Sequence, residues 1–125
     1  MINPIEIDDK AIIIKISQKY NPNMSAEALY EATRGVWRLS KERASYANIA
    51  FSVANGIILE VYEIISWHDA GTTVYHTRDD VHDYQGRFEF VGKIANEILR
   101  NKYLGQSVKS YFKRGRSNPI KYINC

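Results

Sequence analysis

A chain of 125 residues with 45% hydrophobic content has the size of one domain able to bury its own core. No apolar run nears the ~20 residues that span a membrane, and the opening "MINPIEIDDK" lacks the basic and apolar regions of an export signal. The net charge of +3 is uneven: from Ile98 to Cys125 there are seven bases and no acid, against ten bases and fourteen acids before it. Such a basic segment suits phosphates, because each neutralised phosphate releases a counterion. A solvated face that only keeps the chain soluble is the plain alternative. The single Cys125 excludes an internal disulfide and fits a reducing, cytoplasmic setting.

In chain order, "AIIIKIS" (11–17) is β-branched and bounded by turn residues, the pattern of a buried strand. "QKYNPN" is a loop. Ser25 caps a short helix, "AEALYEATR", which Gly35 stops. "GVWRLS" (35–40) alternates polar and apolar residues and predicts a strand. "KERASY" is a charged turn or a single helical turn. Asn55-Gly56 sits between two β-rich runs and predicts a type I′ hairpin, 47–54 pairing with 57–67. Residues 68–86 are polar and read as a long loop of the kind that is functional or mobile. "RFEFVG" is a short strand. Ile94, Ile98 and Leu99 in "KIANEILRNKY" have helical spacing, "LGQSV" turns, and "NPIKYIN" closes the chain as a strand. Five or six strands and two or three short helices in mixed order give an α+β fold. Its sheet is expected to be small, curved and antiparallel or mixed, or rolled into a barrel.

Catalytic signals are sparse. "YLGQS" (103–107) with arginines after it looks like half of a GIY-YIG nuclease signature. Its partner motif is missing, it follows a predicted helix, and no carboxylate lies beyond it to hold a metal ion. His68, His76 and His82, among Asp69, Asp79, Asp80 and Asp83, match no compact metal motif, so no metal or cofactor is expected. Glu60 and Glu63, three apart on a strand, face opposite ways. No nucleophile elbow or phosphate loop is present. What remains is a binding pattern. Arg34, Trp37, Arg38, Lys41 and Arg43 cluster in one stretch. Trp67 ends the hairpin, and Lys113, Arg114, Arg116 and Asn118 follow Phe112. Aromatics interleaved with arginines stack bases and pair with phosphates. The plain reading of Trp37 and Trp67 is core, and that of Arg114 and Arg116 is solvated surface.

"LYEATRGVWR", "GIILEVYEI" with Trp67, "EFVGK" and the closing "NPIKYIN" resemble a domain found C-terminal to the catalytic domain in bacterial GIY-YIG nucleases of the LEM-associated type. The same order is similar to PUA-like domains of the ASCH and EVE branches. The resemblance covers about Ile12 to Cys125 and implies a single PUA-like domain over 1–125. Such domains are small curved barrels that bind RNA, modified bases or nucleotides. It places Arg34, Trp37 and Arg38 near the pocket and Trp67 at a strand end. The nuclease's catalytic half is not in this chain, so binding without cutting is expected. The candidate ligand set is Arg34, Trp37, Arg38, Trp67, Lys113, Arg114, Arg116 and Asn118. The expected partner is a nucleic acid or a small nucleotide, with no membrane and with room for a symmetric homo-oligomer. Two alternatives stand beside this. One is a sponge that sequesters a cyclic or modified nucleotide signal, as in phage anti-defence. The other is a nucleotide-processing enzyme using the loop from His68 to His82.

Overall fold

The structure is a computed structural model and describes residues 6–81, 85–112 and 118–125. The chain runs β1 (Ala11–Lys15), α1 (Ala26–Arg34), α2 (Lys41–Ala44), β2 (Ile49–Ala54), β3 (Ile57–Asp69), β4 (Phe88–Ile94), α3 (Glu97–Tyr103), a 3₁₀ turn (Lys109–Tyr111) and β5 (Ile120–Ile123). The five strands form one mixed sheet in the order β4-β3-β2-β1-β5. Only β1 and β2 are parallel, joined by a crossover that carries α1 and α2. The fold is α+β, and the described strands leave β4 and β5 as open ends of the sheet rather than closing a barrel.

The three consecutive isoleucines of β1 reflect its place between β2 and β5. A strand covered on both faces needs apolar side chains at every position. Ile13 points to one core with Phe51, Val61, Tyr103 and Val108. Ile12 and Ile14 point to the other with Ala32, Ala44, Tyr62 and Phe90. α3 and the 3₁₀ turn cover the first face, and the Phe51 and Tyr103 rings meet edge to face at 4.8 Å. α1 and α2 cover the second. Helices therefore lie on both faces of the sheet.

The turn is as expected, and the hairpin pairs Ile49–Ala54 with Ile57–Glu63, a shorter span than 47–54 with 57–67. Asn55 and Gly56 both have positive φ, 53° and 77°, and join β2 to β3. β3 then runs to Asp69, shifts register between Ile64 and Ser66, and gives its second half to β4. The "YLGQS" segment packs on this hairpin. Gly105 N donates to Ile58 O, Ile58 N to Gln106 O and Val108 N to Gly56 O, at 2.8–3.0 Å. The Tyr103 ring is fully buried, and its hydroxyl donates to Asp8 and Asp9. Burial, together with the Asp9 carboxylate, pushes that hydroxyl up to about 12.

Two expected elements differ. "GVWRLS" is not a strand. Only Trp37 pairs, in an isolated bridge with Phe88. The cause is α1, whose side chains occupy the next backbone groups along the outer edge of β4. Arg34 Nε donates to Phe90 O at 2.8 Å, and Gly92 N donates to the Tyr30 hydroxyl at 2.9 Å. Side chains satisfy this edge, which protects it from pairing with another chain. The second difference is that Lys93 and Ile94 belong to β4, not to the following helix. α3 begins after Asn96, whose side chain accepts from Leu99 N at 3.0 Å.

Candidate functional site

The expected site residues separate in space. Arg34 lies at the end of α1 and is 3% exposed. Its Nη2 donates to Thr73 Oγ1, and its guanidinium lies 4.2 Å from the Tyr75 ring centroid. Trp67 is half-buried against Phe90 and donates through Nε1 to Ala44 O at 3.1 Å. Arg38 is exposed. Trp37 and Asn118 line two clefts, described below. Lys113, Arg114 and Arg116 lie outside the described residues, as does His82.

Around Arg34 the structure gathers residues that local pattern did not single out. Glu89 is fully buried on β4. It accepts from Gly71 N at 2.8 Å, Thr73 N at 2.9 Å, the Thr73 hydroxyl and the Tyr75 hydroxyl. Glu31 of α1 is 3% exposed and accepts from His76 N, Thr77 N and Thr77 Oγ1 at 2.6–2.8 Å. Arg78 donates to Glu31 O and Gly35 O. Buried carboxylates beside an arginine are candidates for acid–base work. Here both oxygens of both carboxylates receive loop donors, so each is engaged in holding the chain over 71–78. The long polar loop is therefore tied to α1 and β4.

Burial pushes the Glu31 carboxyl up, but its hydrogen bonds from Thr77 and His76 outweigh this and hold it below the usual range. A depressed carboxyl stabilises the fold above the ordinary carboxylate range, and that contribution is lost as pH falls through its folded value. Asp8, held down mainly by Lys102, and Asp80, held down mainly by Arg78, act in the same direction. Urea denaturation between about pH 5 and pH 3 should show stability falling with pH. The fall should be shallower in Glu31→Gln. An unchanged slope would remove Glu31 from the acid response.

The histidine loop has no assembled chemistry among the described residues. His68 Nε2 lies 2.7 Å from Ser66 Oγ, while His76 is tied through its backbone to Glu31. No group of three or more His, Cys, Asp or Glu side chains among the described residues is placed to hold a metal ion. No helix among them is long and apolar enough to cross a membrane.

The first cleft has a volume of about 330 Å³ and is lined by Arg43, Tyr111, Phe112, Asn118, Ile120, Lys121 and Tyr122. Its walls are fixed by contacts between distant parts of the chain. The Arg43 guanidinium stacks 4.2 Å from the Tyr122 ring centroid and donates to Cys125 O at 2.9 Å. The Tyr122 hydroxyl accepts from Ser40 N at 2.7 Å, and the Tyr111 hydroxyl accepts from Ile7 N at 2.9 Å. Asn118 Oδ1 accepts from Ile120 N at 3.0 Å. The lining therefore carries two cations, three aromatic rings and an amide, with no carboxylate or imidazole among the described residues. Arg43 stood in the sequence cluster but not in the candidate set. Lys121 counted only among the seven bases of the basic segment and Tyr122 only in the closing strand, because nothing local shows that β5 meets α2 across 82 residues of chain.

The second cleft, of about 410 Å³, is lined by Lys15, Ile16, Ser17, Gln18, Lys19, Trp37 and Pro119. No family model matches the chain, and neither a curated protein nor a solved structure matches it.

Proposed function

We propose that this protein is a non-catalytic binding module that holds a nucleotide in the cleft between α2 and β5. The observation that carries the reading is the lining of that cleft. Arg43 and Lys121 supply positive charge for phosphate, Tyr111, Phe112 and Tyr122 supply rings for a base, and no carboxylate among the described lining residues opposes an anion. Ligand sites of ~300–1,000 Å³ take molecules of nucleotide size, and this cleft lies at the lower end. That favours a small nucleotide over a long strand. Reversible holding without turnover is also what sequestration of a signal nucleotide in the cytoplasm requires. The resemblance to PUA-like domains points the same way. It stands on the sequence pattern, and the open five-stranded sheet supports a small curved sheet rather than a closed barrel.

Equilibrium dialysis against a panel of AMP, ADP, ADP-ribose and cyclic dinucleotides tests the reading. Arg43→Ala should weaken the tightest binding about tenfold or more, the effect of losing a charge-assisted contact. Arg43 is exposed, so the variant should fold. Unchanged affinity would place the ligand elsewhere.

A further inference from the structure

We infer that the cleft between the β1–α1 turn and Trp37 is a second, separate site for a phosphate-bearing planar ligand of the nucleoside mono- or diphosphate class. It differs in position and lining from the cleft of Arg43 and Tyr122 and shares no residue with it.

The site is built from the end of β1 outward. After Lys15 the chain turns, with Lys19 N and Tyr20 N both donating to Ile16 O at 2.8–2.9 Å. This turn stands Gln18 and Lys19 at the rim. The opposite wall is Trp37. Its indole Nε1 donates to Thr33 O at 2.8 Å, and its backbone bridges Phe88. Side chain and backbone are thus each held by the fold, and the ring is half-buried. A planar ring that keeps its orientation is ready to stack a second planar ring with little loss of freedom. Lys19 Nζ stands 5.7 Å from the Trp37 ring centroid.

The charge around the cleft favours an anion. Lys15 and Lys19 both line it, and none of the described lining residues is acidic. The carboxylate near Lys19 is Asp80, at 3.9 Å. Asp80 is engaged more closely by Arg78, at 2.9 and 3.1 Å. The Arg78 charge largely matches that of Asp80, which leaves Lys19 weakly compensated. Burial and the neighbouring cations Arg78 and Arg87 hold the Lys19 ammonium below its usual range, with Asp80 opposing. An incoming phosphate relieves that repulsion. Lys15 leans over Phe112 at 4.4 Å from its ring centroid, so it sits at the border of the two clefts, and Lys19 is the cleaner probe of the second.

The test is a calorimetric titration of the full chain with ADP at low salt. The inference expects two ADP per chain in the wild type. Lys19→Glu should remove one of them, or weaken it about tenfold or more, and leave the other. Arg43→Ala should do the reverse. A Trp67→Phe variant leaves Trp37 as the lone tryptophan, and its emission should respond to the event that Lys19→Glu removes. Should Trp67→Phe fail to fold, the calorimetric count in the exposed-site variants decides alone. One ADP per chain, lost in Arg43→Ala and untouched by Lys19→Glu, would overturn the second site and leave the first standing. One ADP per chain lost only in Lys19→Glu would uphold this site and leave the Arg43 cleft to the rest of the nucleotide panel. No ADP binding would overturn this second site, with the Arg43 cleft decided by that panel.

Discussion

Glu89→Ala is expected to lower the unfolding free energy by about 3–5 kcal/mol, the range seen when one member of a buried charged network is removed. Glu89 is fully buried and receives four donors, two from backbone amides at Gly71 and Thr73 and two from the Thr73 and Tyr75 hydroxyls. Without it those donors face a cavity, each at a cost of about 1–3 kcal/mol unless the loop opens to water. Arg34 is worse placed still. Its Nη2 leans on Thr73, the same residue that donates to Glu89, and its Nη1 already has no hydrogen-bond partner. Removing the anion also frees Thr73, the residue that accepts from Arg34 Nη2. Urea denaturation measures the effect. A loss under about 1 kcal/mol would show that the loop is not held as described. Glu89→Gln should fall between, since the amide keeps one acceptor oxygen but presents a donor to another donor.

The second large effect is expected at Gly35. A Cβ built there would lie 2.4 Å from the Tyr75 hydroxyl oxygen and 2.8 Å from Glu89 Cβ. Its backbone is extended, so the constraint is space and not conformation. Tyr75 is poorly free to move, because its hydroxyl bonds Glu89 and its ring lies against Arg34. Burial of that hydroxyl, with Glu89 beside it, also raises its pKa. Gly35→Ala should therefore destabilise by about 1–3 kcal/mol, as overpacking does. It should also couple to Glu89→Ala, because both substitutions displace the same tyrosine. The double variant should be less destabilised than the sum of the two. Additive values would separate Gly35 from the network.

Local chemistry made much of the fold legible. Asn55-Gly56 dictated its turn, Ser25 its helix start, and the isoleucines of β1 a strand buried on both faces. The errors have one physical source, which is long-range contact. Trp37 alternates like a strand residue, but Tyr30 and Arg34 of α1 already occupy the edge it would join. Ile94 keeps helical spacing with Ile98, yet it pairs with Tyr62 in the sheet. Ile98 is 80% exposed, so the spacing did not reflect a buried face. The polar segment after Trp67 looked like free loop because its partners, Glu31, Arg34 and Glu89, lie up to 47 residues away. For the site, the types of residue were readable and their assembly was not. Arg34 is the instructive case: an arginine beside a tryptophan suggested a ligand contact, and the structure uses it to hold β4 and the loop. Asn118 and Trp37 do line clefts, but different ones.

The most direct measurement is titration of the purified protein with the nucleotide panel at low and high salt, followed by recovery of the ligand. Saturable binding that weakens as salt screens the cations, is reduced by Arg43→Ala and returns the ligand chemically unchanged is the predicted result. No saturable binding at low salt, or a ligand recovered altered, would refute a non-catalytic nucleotide binder.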